Sequence, residues 1–314
     1  MRALTLALLT LPLIGCPVAP GGGGDDDDAT EEPTPEPTPE IAQPSEPGDP
    51  SGTCPDFSDG MQTFESAGEA RQVLVSLPDD LQPGAPVIFY WHSFGTDANY
   101  WFANWGLSSL AEDTGAIVLL PQALDSRLFE WDWVTNANTG EWNPGAVQDV
   151  AVFDDLRACA IQELEADVRR VYTAGFSAGA VWSTFLAQHR SDALAAAYLM
   201  SGGNIVNLTW SAPTMPIPTV AMEGGVGDVW PDPNTPIADF HNGTLDFTAN
   251  MLDEDQFVVR CTHNLGHSPA PGARDWMDEF LLRHSYGEES PFAGDRAGDI
   301  PAGWCWDAAD GDPQ

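Results

Sequence analysis

Lysine is absent from the sequence. All 11 basic residues among the 314 are arginines, against 48 aspartates and glutamates, and the formal net charge is −37. So small a basic complement excludes a nucleic-acid binder, whose affinity needs lysine and arginine clustered against phosphates. It also excludes electrostatic docking on anionic lipid. Cysteine is scarce, at five residues, and no internal repeat is visible. What is present in quantity is apolar and aromatic: 43% hydrophobic residues, with 14 Phe and 12 Trp. A wholly disordered chain does not have that composition. The length suits two small domains or one α/β domain of about 200–250 residues.

The first sixty residues do not read as part of a fold. Arg2 gives a positive start, and residues 3–14 form an apolar run too short to span a bilayer. Residues 1–16 therefore read as an export signal. The run ends in Leu13-Ile14-Gly15-Cys16, which resembles the bacterial lipobox and implies acylation of Cys16. Residues 17–53 read as a tether of glycine, then aspartate, then alternating Pro, Thr and Glu, a composition that buries nothing. The folded domain is expected over residues 54–314. Such a protein would be exported and either held to the bacterial cell envelope, through its lipid alone, or secreted. With Cys16 assigned to lipid, Cys54, Cys159, Cys261 and Cys305 remain. An even number in an exported protein suggests two disulfides with three possible pairings. The expected pairing is Cys261–Cys305 with Cys54–Cys159, although spacing alone does not decide it.

Short apolar strand signals at residues 71–77, 86–91, 116–120, 170–174, 193–200, 218–222 and 256–260 alternate with helical spacing at 100–113, 147–164, 178–189 and 273–284, and a weaker helical signal at 245–252. Alternation of this kind predicts βαβ units around a mainly parallel sheet with helices on both faces, in a single domain.

Within that frame, Gly175-Phe176-Ser177-Ala178-Gly179 fits G-x-S-x-G between a predicted strand and a predicted helix. There the serine sits on a strained turn with its hydroxyl above the sheet, and flanking glycines leave the turn clear. A lone serine hydroxyl is too weak an acid to attack an ester. It needs a base to take its proton and a carboxylate to orient that base. His267, after the strand at 256–260, is the preferred base, with His263 the competitor. Two histidines at i, i+4 can also suggest zinc, but Gly266 opposes a helix there and no metal is expected. Asp228, after the strand at 218–222, is the preferred acid, followed by Asp232 and Asp239. An oxyanion hole would use the Ala178 N–H and a second from Phe94 or Ser93, in the loop after residues 86–91. Trp91, Trp101, Trp105, Trp131, Trp133 and Trp142 fall in segments expected near the top of the sheet.

The chain resembles the α/β-hydrolases in the order Ser177, Asp228, His267. More narrowly it resembles secreted esterases of the polyhydroxybutyrate depolymerase and feruloyl esterase group. The matching stretches are residues 86–95 (PVIFYWHSFG), 116–121 (AIVLLP), 149–155 (DVAVFDD), 169–180 (RRVYTAGFSAGA) and 264–269 (NLGHSP). Two departures stand out. His92-Ser93 replaces the usual His-Gly of the oxyanion loop, and Gly224 stands where His-Gly-x-x-Asp would place histidine. The resemblance implies a carboxylic ester hydrolase acting through an acyl-serine on a small or polymeric ester, without a cofactor and as a monomer. A serine peptidase of the same fold and an inactive binding lipoprotein are the alternatives.

Overall fold

Val87, Phe89 and Trp91 face one side of a strand and Ile88 and Tyr90 the other, and all five are fully buried. A strand apolar on both faces must be covered on both. The computed structural model, which describes residues 41–311 except 126–128, 136–138, 140, 206, 233 and 235, shows how. The signal predicted over residues 1–16, with Cys16, and residues 17–40 of the predicted tether lie outside the described residues.

The described strands are β1 (Gly60–Ser66), β2 (Glu69–Ser76), β3 (Val87–Trp91), β4 (Ile117–Gln122), β5 (Val171–Phe176), β6 (Ala196–Met200), β7 (Thr219–Glu223), β8 (Val229–Trp230), β9 (Ala238–Asp239), β10 (Val258–Thr262) and β11 (Cys305–Asp307). Nine of them form one sheet in the order β1-β2-β4-β3-β5-β6-β7-β10-β11, and β8 and β9 pair separately. From β4 to β10 all neighbours are parallel. β1, β2 and β11 join the edges antiparallel.

The helices are α1 (Ala98–Asn104), α2 (Leu110–Thr114), α3 (Pro144–Leu164), α4 (Ala178–His189), α5 (Phe240–Asp253) and α6 (Ala273–Leu282). α3, α4 and α5 pack with Val87, Phe89 and Trp91 on one face. α1, α2 and α6 pack with Ile88 and Tyr90 on the other. After β3 the chain moves one way to β4, and from β5 it moves the other way. The order therefore reverses between β3 and β5, where open α/β sheets leave a crevice at the strands' carboxyl ends.

Local chemistry sets several boundaries away from expectation. The helix predicted over 100–113 is broken, because Gly106 takes a left-handed φ of 70° between α1 and a short 3₁₀ turn. Pro121 does not stop β4. It sits opposite Val73 in the antiparallel pairing with β2. α3 begins three residues early, where the Asn143 side chain accepts from Ala146 N–H and proline occupies the first turn. α5 begins at Phe240, capped by Asp239.

The predicted tether also ends sooner than residue 53. Ser45 N–H donates to the Asp192 carbonyl at 2.7 Å, and Arg157 Nη2 donates to the Ser45 carbonyl at 2.6 Å. Ser51 donates to Asp155 through both N–H and Oγ, at 2.7 and 2.6 Å. Backbone polar atoms hold residues 41–53 against the domain, and a count of apolar residues cannot register such contacts. Cys54–Cys159 links this segment to α3, and Cys261–Cys305 joins β10 to β11. This is the expected pairing, and it fits folding in an oxidising compartment.

Candidate active site

β5 ends at Phe176 and α4 begins at Ala178, so one residue must reverse the chain between strand and helix. Ser177 does so at φ 55° and ψ −123°, in the left-handed half of backbone space. Its N–H donates to the Met200 carbonyl and its carbonyl accepts from Val181 N–H, both at 2.9 Å. A Cβ on Gly175 would strike the Gly179 backbone, and one on Gly179 would strike the Trp91 carbonyl. The two glycines let α4 approach closely enough to hold this turn.

His267 Nε2 lies 2.8 Å from Ser177 Oγ, and its Nδ1 lies 2.7 Å from Asp228 Oδ1. A carboxylate oxygen only accepts, so Nδ1 carries the hydrogen and Nε2 is left to accept from the serine hydroxyl. The imidazole is clamped between Phe176, at 4.9 Å, and Phe240, at 4.3 Å, with interplanar angles of 29° and 13°. Asp228 is fully buried. Its Oδ2 accepts from Ser201 Oγ and from Gly224 N–H, each at 2.8 Å. Three donors thus fix one carboxyl group, and two of them come from outside the histidine.

Glu223, at the end of β7, is also fully buried and braces the acid loop. It accepts from Gly225 N–H and the Thr262 hydroxyl, and Oε2 lies 2.9 Å from His241 Nδ1. It thereby ties the loop carrying Asp228 to β10, which leads to His267, and to α5. The sequence offered no signal for this role beyond a carboxylate next to the loop.

The competing residues are used otherwise. His263 Nδ1 accepts from Leu265 N–H at 3.2 Å, and burial lowers its pKa. Asp239 caps α5 by accepting from Asn242 N–H. Asp232 accepts from Asn234 N–H at 2.8 Å. His92 is buried, with Nε2 accepting from Ala123 N–H at 3.0 Å and Nδ1 3.1 Å from the Ser93 carbonyl. That pairing makes it a neutral brace for its loop, and burial lowers its pKa to about 4.

In the loop after β3, Gly95 N–H donates to Glu130 Oε1 and Thr96 N–H to the Ser93 carbonyl. Among the described residues, no acceptor faces the N–H groups of Ser93 and Phe94. Ala178 opens α4, where first-turn N–H groups lack intrahelical acceptors. All three residues line the same cleft as Ser177 and His267.

That cleft is about 170 Å³ and is walled mainly by Phe94, Phe129, Trp133, Trp230, Ile237 and Phe240. Of the six tryptophans expected near the top of the sheet, only Trp133 lines it. Trp91 and Trp131 are core, with Trp131 Nε1 donating to the His92 carbonyl at 2.9 Å. Trp142 packs on Phe185 and His189. Trp101 and Trp105 stand beyond Phe176. Trp230, Phe240 and Ile237 went unread because β8, β9 and the start of α5 bring them in from a stretch without a periodic signal.

No family model matches the sequence. Feruloyl esterase B of Thermothelomyces thermophilus is 30% identical over 131 residues, 42% of this chain and 44% of that protein. Feruloyl esterase D of Neurospora crassa is 26% identical over 241 residues, 71% of each. The chain thus spans less than half the length of the first of these relatives. The solved native structure of sOPH superposes with a TM-score of 0.65 at 19% identity, covering 83% of this chain and 97% of that one. The chain is an α/β-hydrolase by fold, related in sequence to feruloyl esterases.

Proposed function

We propose that the protein is a serine esterase that cleaves carboxylic esters through an acyl-serine. The observation that carries this reading is the unbroken hydrogen-bonded path from Ser177 Oγ through His267 to buried Asp228. Ser177 Oγ attacks the ester carbonyl while His267 Nε2 takes its proton. The oxyanion is met by N–H groups of Ala178 and of Phe94 or Ser93. His267 then protonates the departing alcohol, and water drawn in by the same imidazole releases the acid. Asp228 keeps the imidazole in the required tautomer and offsets its charge. Feruloyl esterase relatives support the reaction class, and the apolar cleft supports an aryl, short acyl or polyester acyl group. A net charge of −37 favours neutral esters over anionic ones.

Hydrolysis of p-nitrophenyl acyl esters by the wild type and by Ser177→Ala tests the proposal. The expected result is loss of turnover in the variant; equal rates would overturn it.

The same reading includes lipid attachment at Cys16, after cleavage of residues 1–15, with the head held to the bacterial envelope. It rests on Leu13-Ile14-Gly15-Cys16 following a short apolar run. Acyl mass on Cys16 and partition into detergent are expected, and an unmodified, water-soluble N-terminus would remove the anchor.

A further inference from the structure

A second depression, of about 260 Å³, adjoins the catalytic cleft and shares Ser93 and Phe176 with it. Its floor and walls are Tyr100, Trp101, Asn104 and Trp105, with Pro269 closing one side. Phe176 is the partition. One contact sets its ring 4.9 Å from the imidazole of His267, and another sets it 5.5 Å from Trp101. Pro269 follows His267 by two residues, so the loop that carries the base also borders the depression.

The aromatics are held in place from below. Trp101 Nε1 donates to Thr96 Oγ1 at 3.0 Å, and that hydroxyl donates to the Ser93 carbonyl at 2.7 Å. Trp105 packs on Tyr90 and Trp101 at 5.2 and 5.8 Å. Tyr100 stands edge-on to Trp101 at 5.9 Å and is 51% exposed. Asn104 donates through Nδ2 to the Tyr100 carbonyl, and among the described residues no donor meets its Oδ1. A half-exposed ring fixed on a rigid aromatic base, with an amide oxygen beside it, suits a ring-shaped group carrying hydroxyls.

The two halves of an ester have different destinations. The acyl half stays bonded to Ser177 Oγ when the carbon–oxygen bond to the alcohol breaks, so it belongs in the cleft lined by Ser177 and Ala178. The alcohol half leaves with the proton that came from Ser177 by way of His267 Nε2. It therefore belongs on ground bordered by the base loop and reached past Ser93.

We propose that the Tyr100–Trp105 shelf holds the alcohol half of the substrate and selects ring-bearing alcohols over linear ones. This assignment rests on the esterase reading above. The test compares cyclohexyl butyrate with ethyl butyrate, and ethyl acetate with ethyl hexanoate, on wild type, Tyr100→Ala and Tyr100→Phe. Tyr100 is a surface ring, so its removal leaves the core intact. Tyr100→Ala is expected to lower the cyclohexyl-to-ethyl ratio of kcat/KM by about fivefold, mainly through KM, while the acyl-length ratio stays unchanged. Tyr100→Phe should keep the wild-type ratio. An unchanged alcohol ratio, or a change in the acyl ratio instead, would overturn the proposal.

Failure of the esterase reading is separable. If wild type cleaves none of these esters, calorimetric titration of Ser177→Ala with the two butyrates still reads the shelf. Tighter cyclohexyl binding that is lost on adding Tyr100→Ala upholds it, and equal affinities remove it.

Discussion

Gly224 and Gly266 meet with no room between them: a Cβ at position 224 would fall on the Gly266 carbonyl, whose own N–H donates to the Gly224 carbonyl at 2.8 Å. The loop carrying Asp228 and the loop carrying His267 touch at this point, so their separation is set by the absence of a side chain. The histidine that the resemblance would place at 224 has no space here. Gly224→Ala should push the loops apart and lower kcat by about 100-fold, the scale of an ångström-sized misplacement. Gly227→Ala is the control. A Cβ there meets only Gly266 Cα, at 3.8 Å, and activity should stay within about threefold. Esterase kinetics beside a melting curve would check both.

Replacement of the acid should separate geometry from charge. Asp228→Asn is expected to cost about 10⁴ in kcat, because an amide cannot hold the same tautomer of His267. Ser201→Ala removes one of the donors to Asp228 and should cost about tenfold. Asp232→Asn and Asp239→Asn should leave kcat close to wild type. A collapse of kcat in either of those two, with Asp228→Asn active, would reassign the acid.

Acid should destabilise the fold through its histidines. Burial lowers the pKa of His92, His189 and His284 from 6.5 to about 4. Between those values the unfolded chain binds protons that the folded chain refuses, so stability falls as pH falls through that window. Asp278 has the opposite sign. Burial raises it from 3.8 to about 6, so in that interval the folded state holds the extra proton and gains on acidification. Three groups against one leave a net loss. Tm at pH 4.5 should lie about 5 °C or more below its value at pH 7. His189, between Phe185 and Trp142 with no hydrogen-bond partner for Nε2 among the described residues, gives a direct check. His189→Phe should lessen the pH dependence.

Reduction should be costly. The disulfides close separations of 105 and 44 residues, which the chain-entropy model converts to about 5 and about 4 kcal/mol. Cys54→Ser with Cys159→Ser, and Cys261→Ser with Cys305→Ser, should each lower the denaturation midpoint. The second pair should also lower activity more than the first, since Cys261 lies on β10, which leads directly to His267. Urea unfolding with parallel ester assays would check the ranking.

Much of this was readable in advance for a local reason. Ser177 announces itself because its turn needs glycine at 175 and 179 and a strand and helix on either side, all within a few residues. The parallel strands are apolar on both faces, so β3 to β7 stand out as short unbroken runs. His267 and Asp228 were placed by chain order on loops after β10 and β7. β1, β8, β9 and β11 were not foreseen. β1 is a partly exposed edge strand, and β8, β9 and β11 are two or three residues long, so their pairing depends on what lies beside them. Glu223 and Ser201 were invisible because their roles follow from contacts across 39 and 27 residues. Phe240 and Trp230 were missed because a cleft wall needs only proximity, which has no period.

The attachment of residues 41–53 has a mechanical consequence. A pull along the N-terminal stretch is met first by the Ser45–Asp192 and Ser51–Asp155 hydrogen bonds, and then by the covalent link from Cys54 to Cys159 in α3. Thr53 also pairs with Glu65 on β1, so the edge strand shares the load that the disulfide passes into the 21-residue α3. A pull on residue 41 would therefore break these hydrogen bonds before load reached the loops carrying Asp228 and His267.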